Sequence, residues 1–98
     1  MFKLSITPRA EFDLIGIWAF TCEAWGIDQA DKYLDNMETG MKQLINYPLL
    51  GTNYDHVLHG YRRLQVEHHA VFYQVRESEI LVIRVLHEDM DAPERLLD

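Results

Sequence analysis

The sequence predicts an α+β domain in which a hairpin of two helices packs on one face of a small sheet. Three observations support this fold class. Residues 2–6 alternate apolar and polar side chains, residues 8–46 repeat apolar side chains at helical spacing, and residues 61–87 hold three apolar runs divided by polar turns. The predicted order is strand, helical hairpin and three-stranded antiparallel meander, and residues 1–98 are expected to form a single domain.

The first strand, residues 2–6, leads directly into a helix with a recognisable start. Thr7 is a typical N-cap residue, and Pro8 suits the first helical position because a proline lacks the N–H that would be unpaired there. The helix is expected to run to about Trp25, since the glycine that follows, Gly26, is a common helix stop.

A second helix is expected from about residue 29 to Asn46. Asp28 is the predicted N-cap, and Pro48 follows the end of the helix. Because the connection between the two helices is short, they are expected to lie antiparallel. Residues 48–60 are rich in Gly, Pro, Asn and Asp and are predicted to be mostly loop.

The last third of the chain is predicted to contain strands at 61–66, 69–76 and 80–87. The third strand is almost continuously apolar, which is typical of a strand buried on both faces, and Arg84 interrupts it. An acidic tail follows at residues 88–98. Within it, residues 92–97 are predicted either to make one helical turn or to be mobile.

Charge and hydropathy weigh against several classes of protein. The net charge is −7, whereas general nucleic-acid binding needs clustered Lys and Arg. The charge is uneven: residues 61–87 carry four Arg and three Glu, a net of +1, and residues 88–98 carry one Arg and five acids, a net of −4. No apolar run reaches the ~18 residues of a membrane span, and the N-terminus lacks a signal-peptide pattern. The protein is therefore expected to be cytoplasmic, with no membrane partner.

Cysteine and histidine usage predicts neither a metal nor a cofactor. Cys22 is the single cysteine, so an internal disulfide is excluded, and its apolar helical neighbours indicate a core position. His56 and His59 have a spacing that suits a metal on a helix, but they lie in a predicted loop without a third ligand.

Polar side chains of the meander form one candidate site. Arg62 or Arg63, Tyr73, Arg84 and His87 lie on adjacent predicted strands, whose side chains come within reach of one another. Such a set could hold a phosphate and move a proton, because Arg matches phosphate oxygens and His titrates near neutrality. The alternative is structural: Arg84 is paired with a carboxylate or with backbone carbonyls.

Large apolar side chains of the two helices form a second candidate site: Trp18, Trp25, Tyr33, Met37 and Met41. One interpretation is that they cover the sheet. The other is that part of this surface is a groove for a segment of a partner protein, since aromatic and Met side chains are enriched at such surfaces.

Several short motifs, in this order and spacing, resemble the ParE toxins of the RelE/ParE superfamily, from bacterial type II toxin–antitoxin systems. The matching positions span nearly the whole chain: Ala10, Asp13-Leu14 and Ile17; Trp25-Gly26, Gln29-Ala30 and Tyr33; Leu44, Pro48 and Gly51; Gly60-Tyr61-Arg62; His69 and Val71-Phe72-Tyr73; Ile83-Arg84-Val85-Leu86-His87 and Met90-Asp91.

The resemblance implies a toxin with the same strand and helix order, and a ParD-like antitoxin as its partner. Such antitoxins have an N-terminal ribbon-helix-helix part that binds operator DNA and a C-terminal segment that wraps the toxin. The candidate antitoxin contacts are the five large helical side chains named above. No direct contact of the toxin with nucleic acid is expected.

The resemblance also implies a target, DNA gyrase, which ParE-like toxins inhibit by binding without catalysis of their own. Candidate target contacts are Arg62, Tyr73, His87, Met90 and Asp91. The alternative is a RelE-like endoribonuclease that cuts messenger RNA on the ribosome. Its candidate catalytic residues would be Arg62, Arg63, Arg84 and His87, although the chain has no Lys after Lys42. A third interpretation is that toxicity has been lost and only the complex with the antitoxin persists.

Overall fold

The computed structural model describes residues 2–97, and its order of helices and strands confirms the predicted α+β class. Met1 and Asp98, the ends of the predicted domain, lie outside the described residues. The elements are β1 (Lys3–Ile6), α1 (Pro8–Trp25), α2 (Ile27–Asn46), β2 (Thr52–Asn53), β3 (Arg62–Val66), β4 (His69–Val75), β5 (Glu79–His87) and α3 (Ala92–Leu96).

The helical hairpin begins with the predicted cap and turns at one residue. The backbone N–H of Ala10 donates to the Thr7 side-chain oxygen over 3.1 Å, so Thr7 caps α1 as expected. Gly26 ends α1 and also stands at the N-cap of α2, with φ of 94°. The prediction that Asp28 caps α2 is therefore wrong. The left-handed φ of Gly26 reverses the chain within one residue, and Asp28 already lies in the first helical turn.

The sheet has five strands in the order β1-β5-β4-β3-β2. The predicted meander is confirmed, because β3, β4 and β5 pair antiparallel, and β1 adds to β5 in parallel. The two-residue strand β2 pairs with β3 inside the segment predicted as loop. A bulge shifts the β4–β5 register between Phe72, which pairs with Arg84, and Tyr73, which pairs with Val82.

The main core lies between the helical hairpin and one face of the sheet. Met37, Met41 and Leu44 of α2 are buried against Val71 and Tyr73 of β4. Met37 and Met41, two of the candidate antitoxin contacts, are therefore core residues, because their helical stripe faces the sheet and not solvent. Burying a side chain of this size stabilises the fold by about 1.5–3 kcal/mol.

The opposite face of the sheet is covered as well, so the sheet is not open on one side. Phe72 and Leu86 are buried there beneath Leu96 of α3. The segment between β2 and β3 packs on the same face, where the rings of Tyr54 and Phe72 meet edge to face at 5.3 Å. Residues 92–96 of the acidic tail thus form the helical turn that was one of the two predicted alternatives, and Leu96 anchors it.

The loop after α2 is held by the hydroxyl of Tyr73. This hydroxyl donates to the carbonyl of Pro48 over 2.8 Å and accepts the backbone N–H of Gly51 over 2.9 Å. Gly51 approaches so closely that an added Cβ would lie 2.7 Å from both the Arg63 carbonyl oxygen and the Tyr73 hydroxyl.

Replacing Gly51 with alanine is expected to lower the free energy of unfolding by about 2–4 kcal/mol, because the new methyl group displaces the loop and breaks a buried hydrogen bond. Chemical denaturation measures this change. Gly16→Ala is the matched control, since nothing lies within 4 Å of a Cβ at Gly16, and the substitution favours the helix. Equal stability of the two variants would contradict the close contact.

Candidate functional site

Within residues 2–97, the C-terminal half of β5 pairs with β4 on one side but has no strand on its other side. β1 pairs with β5 only from Glu79 to Val82. Beyond that point the first helix and its cap take over the hydrogen bonds of the edge. The Thr7 hydroxyl donates to the Ile83 carbonyl over 2.8 Å, and the backbone N–H of Val85 donates to the Asp13 carboxylate over 3.0 Å. The Asp13 carboxylate therefore accepts a backbone N–H of β5 that a neighbouring strand would otherwise bind.

Asp13 also pairs with the arginine that interrupts β5. The Arg84 Nε and Nη2 atoms donate to the two Asp13 carboxylate oxygens over 2.8 and 3.1 Å, a bidentate geometry. The Arg84 Nη1 donates to the carbonyl of Arg95 in α3 over 2.9 Å. Arg84 thus has the carboxylate and carbonyl partners that the structural interpretation of the sequence requires, and it links α1, β5 and α3.

A groove of about 1040 Å³ lies between α1 and this half of β5. Phe12, Gly16 and Phe20 repeat every four residues along the α1 wall. The side chains of Phe12 and Phe20 are 74% and 73% exposed, and Trp25, farther along, is 75% exposed. Exposed aromatic side chains that line one groove mark a binding surface more often than a free face of a monomer.

The other wall of the groove is polar and contains a histidine network. The Tyr33 hydroxyl lies 2.7 Å from His69 Nδ1 and accepts the backbone N–H of His68 over 3.1 Å. The rings of His69 and His87 are nearly perpendicular, with centroids 5.3 Å apart. Burial raises the pKa of the Tyr33 hydroxyl, which therefore stays protonated. Burial, with a smaller contribution from His87, lowers the pKa of His69 to about 4.

The lowered pKa of His69 predicts a pH-dependent stability. Between the ordinary value of 6.5 and about 4, the unfolded chain binds a proton at His69 that the folded protein does not. Protonation of the unfolded chain therefore lowers the free energy of unfolding. The free energy of unfolding has its full value above pH 6.5, as far as His69 is concerned, and decreases as the pH falls toward 4. Allowing for solvent screening of a half-buried ring, the loss is about 1–2 kcal/mol. Urea denaturation of the wild type and His69→Gln at pH 7 and pH 4.5 should show the smaller pH dependence in the variant. The same dependence in both would contradict the assignment.

A second, smaller cavity of about 240 Å³ lies on the outer face of the sheet, over Phe72. Arg63, His87, Met90 and Asp91 line it. His87 and Met90 line the groove too, so the end of β5 and the turn after it form the wall between the two cavities.

The polar residues predicted to converge are divided between two faces of the sheet. Arg63 pairs with Phe72 and shares the outer cavity with His87, whereas Arg62 pairs with Tyr73 on the helix side. The Arg62 guanidinium donates to the carbonyls of Leu49 and Gly51 over 3.2 and 2.6 Å.

Tyr73 is fully buried, and its hydroxyl is already bonded to Pro48 and Gly51. Tyr73 therefore does not belong among the surface contacts for a target. Arg62 is half-buried, and its Nη2 atom donates to the loop carbonyls, but it stays a candidate contact. His87, Met90 and Asp91 stay candidate contacts.

Of the large helical side chains, Trp25 and Tyr33 line the groove. Trp18 is half-buried, and its indole N–H donates to Asp31 over 2.9 Å, tying the two helices together. The sequence interpretation missed Phe12 and Phe20. Their signal was available: α1 has apolar side chains all round its axis, which a helix with only one covered face does not need.

Within residues 2–97, no group of three or more His, Cys, Asp or Glu side chains could hold a metal ion. No helix in this part of the chain is long and apolar enough to cross a membrane.

These features define a small α+β protein with an exposed, largely apolar groove beside α1. The family model of the ParE toxin of type II toxin–antitoxin systems, parDE, matches residues 4–92. This chain therefore belongs to the ParE toxin family, which confirms the resemblance found in the sequence.

Curated relatives span the same length. Toxin ParE1 of Mycobacterium tuberculosis is 37% identical over 93% of this chain and 94% of its own, and Toxin ParE1 of Caulobacter vibrioides is 33% identical over 89% and 90%. Toxin ParE of Escherichia coli is 35% identical over 95% and 91%. A solved chain of the chromosomal ParDE system from P. aeruginosa superposes with a TM-score of 0.80, at 24% identity, over 89% of this chain and 96% of that one, and it supports the fold.

Proposed function

We propose that this chain is a ParE toxin that inhibits DNA gyrase by direct binding and is neutralised by a ParD-like antitoxin seated in the groove. The observation that carries the proposal is the exposed apolar wall of α1, formed by Phe12, Phe20 and Trp25, beside a strand edge without a neighbour. Family membership supports the assignment as a toxin, and the exposed groove supports the proposal that the antitoxin binds there.

The groove suits a segment of a partner chain better than a small molecule. It is long, because it runs from Trp25 near the hairpin joint to Met90 and Arg95 beside α3. Its apolar half offers aromatic side chains at four-residue spacing, which an amphipathic helix can match with its own i and i+4 side chains. An antitoxin with a C-terminal segment of this kind would cover the exposed Phe side chains.

The outer cavity is the proposed contact for gyrase. Asp91 is exposed, Met90 is 45% exposed, and His87 is half-buried at the cavity wall. Because His87 and Met90 also line the groove, an antitoxin seated there would touch the same turn. Neutralisation would then follow from direct coverage of part of the target surface.

The arrangement gives little support to the ribonuclease alternative. Two of its four candidate residues already have partners within the fold: the Nη2 atom of Arg62 donates to a loop carbonyl, and the Arg84 guanidinium is paired with the Asp13 carboxylate. The four residues also do not share one site: Arg63 and His87 line the outer cavity, Arg84 lines the groove, and Arg62 pairs with Tyr73 on the helix side of the sheet. A reacting phosphate needs several cationic groups directed at one point.

Two measurements distinguish the two activities. Purified protein added to gyrase is expected to inhibit supercoiling and to trap gyrase on cut DNA, and induction in bacteria is expected to cause a DNA damage response with filamentation. Rapid arrest of translation with cleaved transcripts, without DNA damage, would overturn the gyrase proposal in favour of the ribonuclease. No growth inhibition by folded protein would instead support a toxin that has lost its activity.

A further inference from the structure

Two histidine rings occupy the polar wall of the groove and face each other across neighbouring strands. His69 on β4 pairs with His87 on β5, and both rings line the groove. The hydrogen bonds around the rings determine which ring nitrogen carries the proton. This choice decides what the wall can recognise.

The backbone fixes the tautomer of His87. The backbone N–H of Asp89 donates to His87 Nδ1 over 3.1 Å, so Nδ1 is the acceptor. In the neutral ring the proton then lies on Nε2.

The same reasoning applies to His69 through Tyr33. The Tyr33 oxygen already accepts the backbone N–H of His68. If Tyr33 donates its hydroxyl proton to His69 Nδ1, 2.7 Å away, both the Tyr33 hydroxyl and the His69 Nδ1 atom have a hydrogen-bond partner. The opposite direction would leave the hydroxyl proton without an acceptor among residues 2–97. His69 therefore also carries its proton on Nε2, and neither Nε2 has a hydrogen-bond acceptor in that part of the chain.

We propose that these two Nε2–H groups form a carboxylate-binding site, which takes an Asp or Glu side chain of the antitoxin segment in the groove. This inference rests on the proposed function for the identity of the occupant. Any segment that covers the wall removes water from both donors and must supply an acceptor in its place. A carboxylate is acceptor-only and has two oxygens, so it can serve both rings.

Charge along the groove favours an acidic side chain over a backbone carbonyl. The Arg84 charge is balanced by Asp13, and the exposed Arg95 lines the groove beside His87 and Met90. Glu67 is an opposing charge that lines the groove at the β3–β4 turn. Glu88 and Asp89 are further acids near the two rings, and the Asp89 carboxylate lies 3.7 Å from His87 Nδ1, but neither lines the groove. An acid on the occupant therefore gains from Arg95 as well as from the two rings, whereas a neutral carbonyl gains less.

The test measures, by titration calorimetry, the affinity of this chain for a purified antitoxin of the ribbon-helix-helix type. His87→Leu and His69→Leu are expected to weaken binding by about tenfold or more, because the acceptor is left buried without a donor. The single variants His87→Gln and His69→Gln are expected to keep most of the wild-type affinity, since the Gln amide N–H can take the place of Nε2–H. His59→Leu is the control, because the His59 side chain is 99% exposed and outside the groove.

Substitutions in the antitoxin identify which of its residues accepts the hydrogen bonds of the two rings. Each Asp and Glu of its C-terminal segment is changed to Asn or Gln, alone and with His87→Leu. One acid whose loss is non-additive with His87→Leu supports the site, and the absence of any such coupling overturns it in favour of a backbone acceptor. Leu variants that are folded by circular dichroism and bind like wild type also overturn it. If wild type itself does not bind, the proposed function fails before the site is tested.

Discussion

Asp13→Ala is expected to lower the free energy of unfolding by about 3 kcal/mol. The Asp13 carboxylate accepts hydrogen bonds from two Arg84 nitrogens and from the backbone N–H of Val85. Removing it leaves a guanidinium with only 11% of its side chain exposed and an unpaired N–H on the edge of β5. Chemical denaturation monitored by tryptophan fluorescence measures the loss.

The control for this prediction is an exposed ion pair of similar length. Lys42 and Glu38 approach to 2.7 Å on α2, but their side chains are 60% and 59% exposed, so Glu38→Ala is expected to cost less than about 0.5 kcal/mol. Arg84→Met combined with Asp13→Ala is expected to cost less than the sum of the single changes, since each removes the same pair. An Asp13→Ala loss no larger than that of Glu38→Ala would show that the pair is not structural.

The same pair shows where the sequence was informative and where it was not. Arg84 inside an apolar run required a partner, and that much was predicted from the cost of a buried charge. The partner itself lies 71 positions away, in a helix whose own pattern is explained without it. The sequence did not identify Asp13 as this partner, because local spacing carries no information on which strand edge a helix will cover.

The boundaries of α1 were predicted well because their causes are local. The Thr7 cap and the Gly26 stop each act within a few residues, and α1 begins and ends where they indicated. The short strand β2 was missed since two residues carry no periodicity. Gly51, next to β2, contacts Tyr73, which lies 22 positions away on β4, so the position of β2 depends on long-range contacts.

The candidate site was predicted less well, because a row of apolar side chains on a helix does not reveal whether the sheet or a partner protein covers it. Met37 and Met41 were grouped with Trp25 as candidate partner contacts, yet the two Met side chains are core and Trp25 is exposed. The distinction depends on where β1 ends. Had β1 continued past Val82, the wall of α1 around Phe12 would face a strand, and no groove would exist.

Phe20→Asp is expected to weaken antitoxin binding by on the order of 100-fold while the protein stays folded, because a charge replaces an aromatic anchor at the centre of the apolar wall. Phe20 is 73% exposed, so the folded toxin loses little by the change. Ile15→Asp is the matched control on the same helix, since Ile15 is 64% exposed but does not line the groove. Titration calorimetry with the antitoxin compares the two variants, and equal losses would mean that binding depends on α1 as a whole and not on the groove.

Substitutions at Gly16 test whether blocking the groove, without removing any side-chain contact, is enough to prevent antitoxin binding. Gly16 lies between Phe12 and Phe20 on the wall, and nothing lies within 4 Å of a Cβ there, so an added side chain begins in open space. Gly16→Ala is expected to bind nearly as wild type, and Gly16→Trp is expected to fill the groove and abolish binding, although neither removes a side-chain contact of the toxin. If Gly16→Trp binds like Gly16→Ala, the antitoxin docks elsewhere. If antitoxin binding is lost but gyrase inhibition persists, the antitoxin and target surfaces are separable, as a groove on the α1 side and a cavity on the outer face of the sheet require.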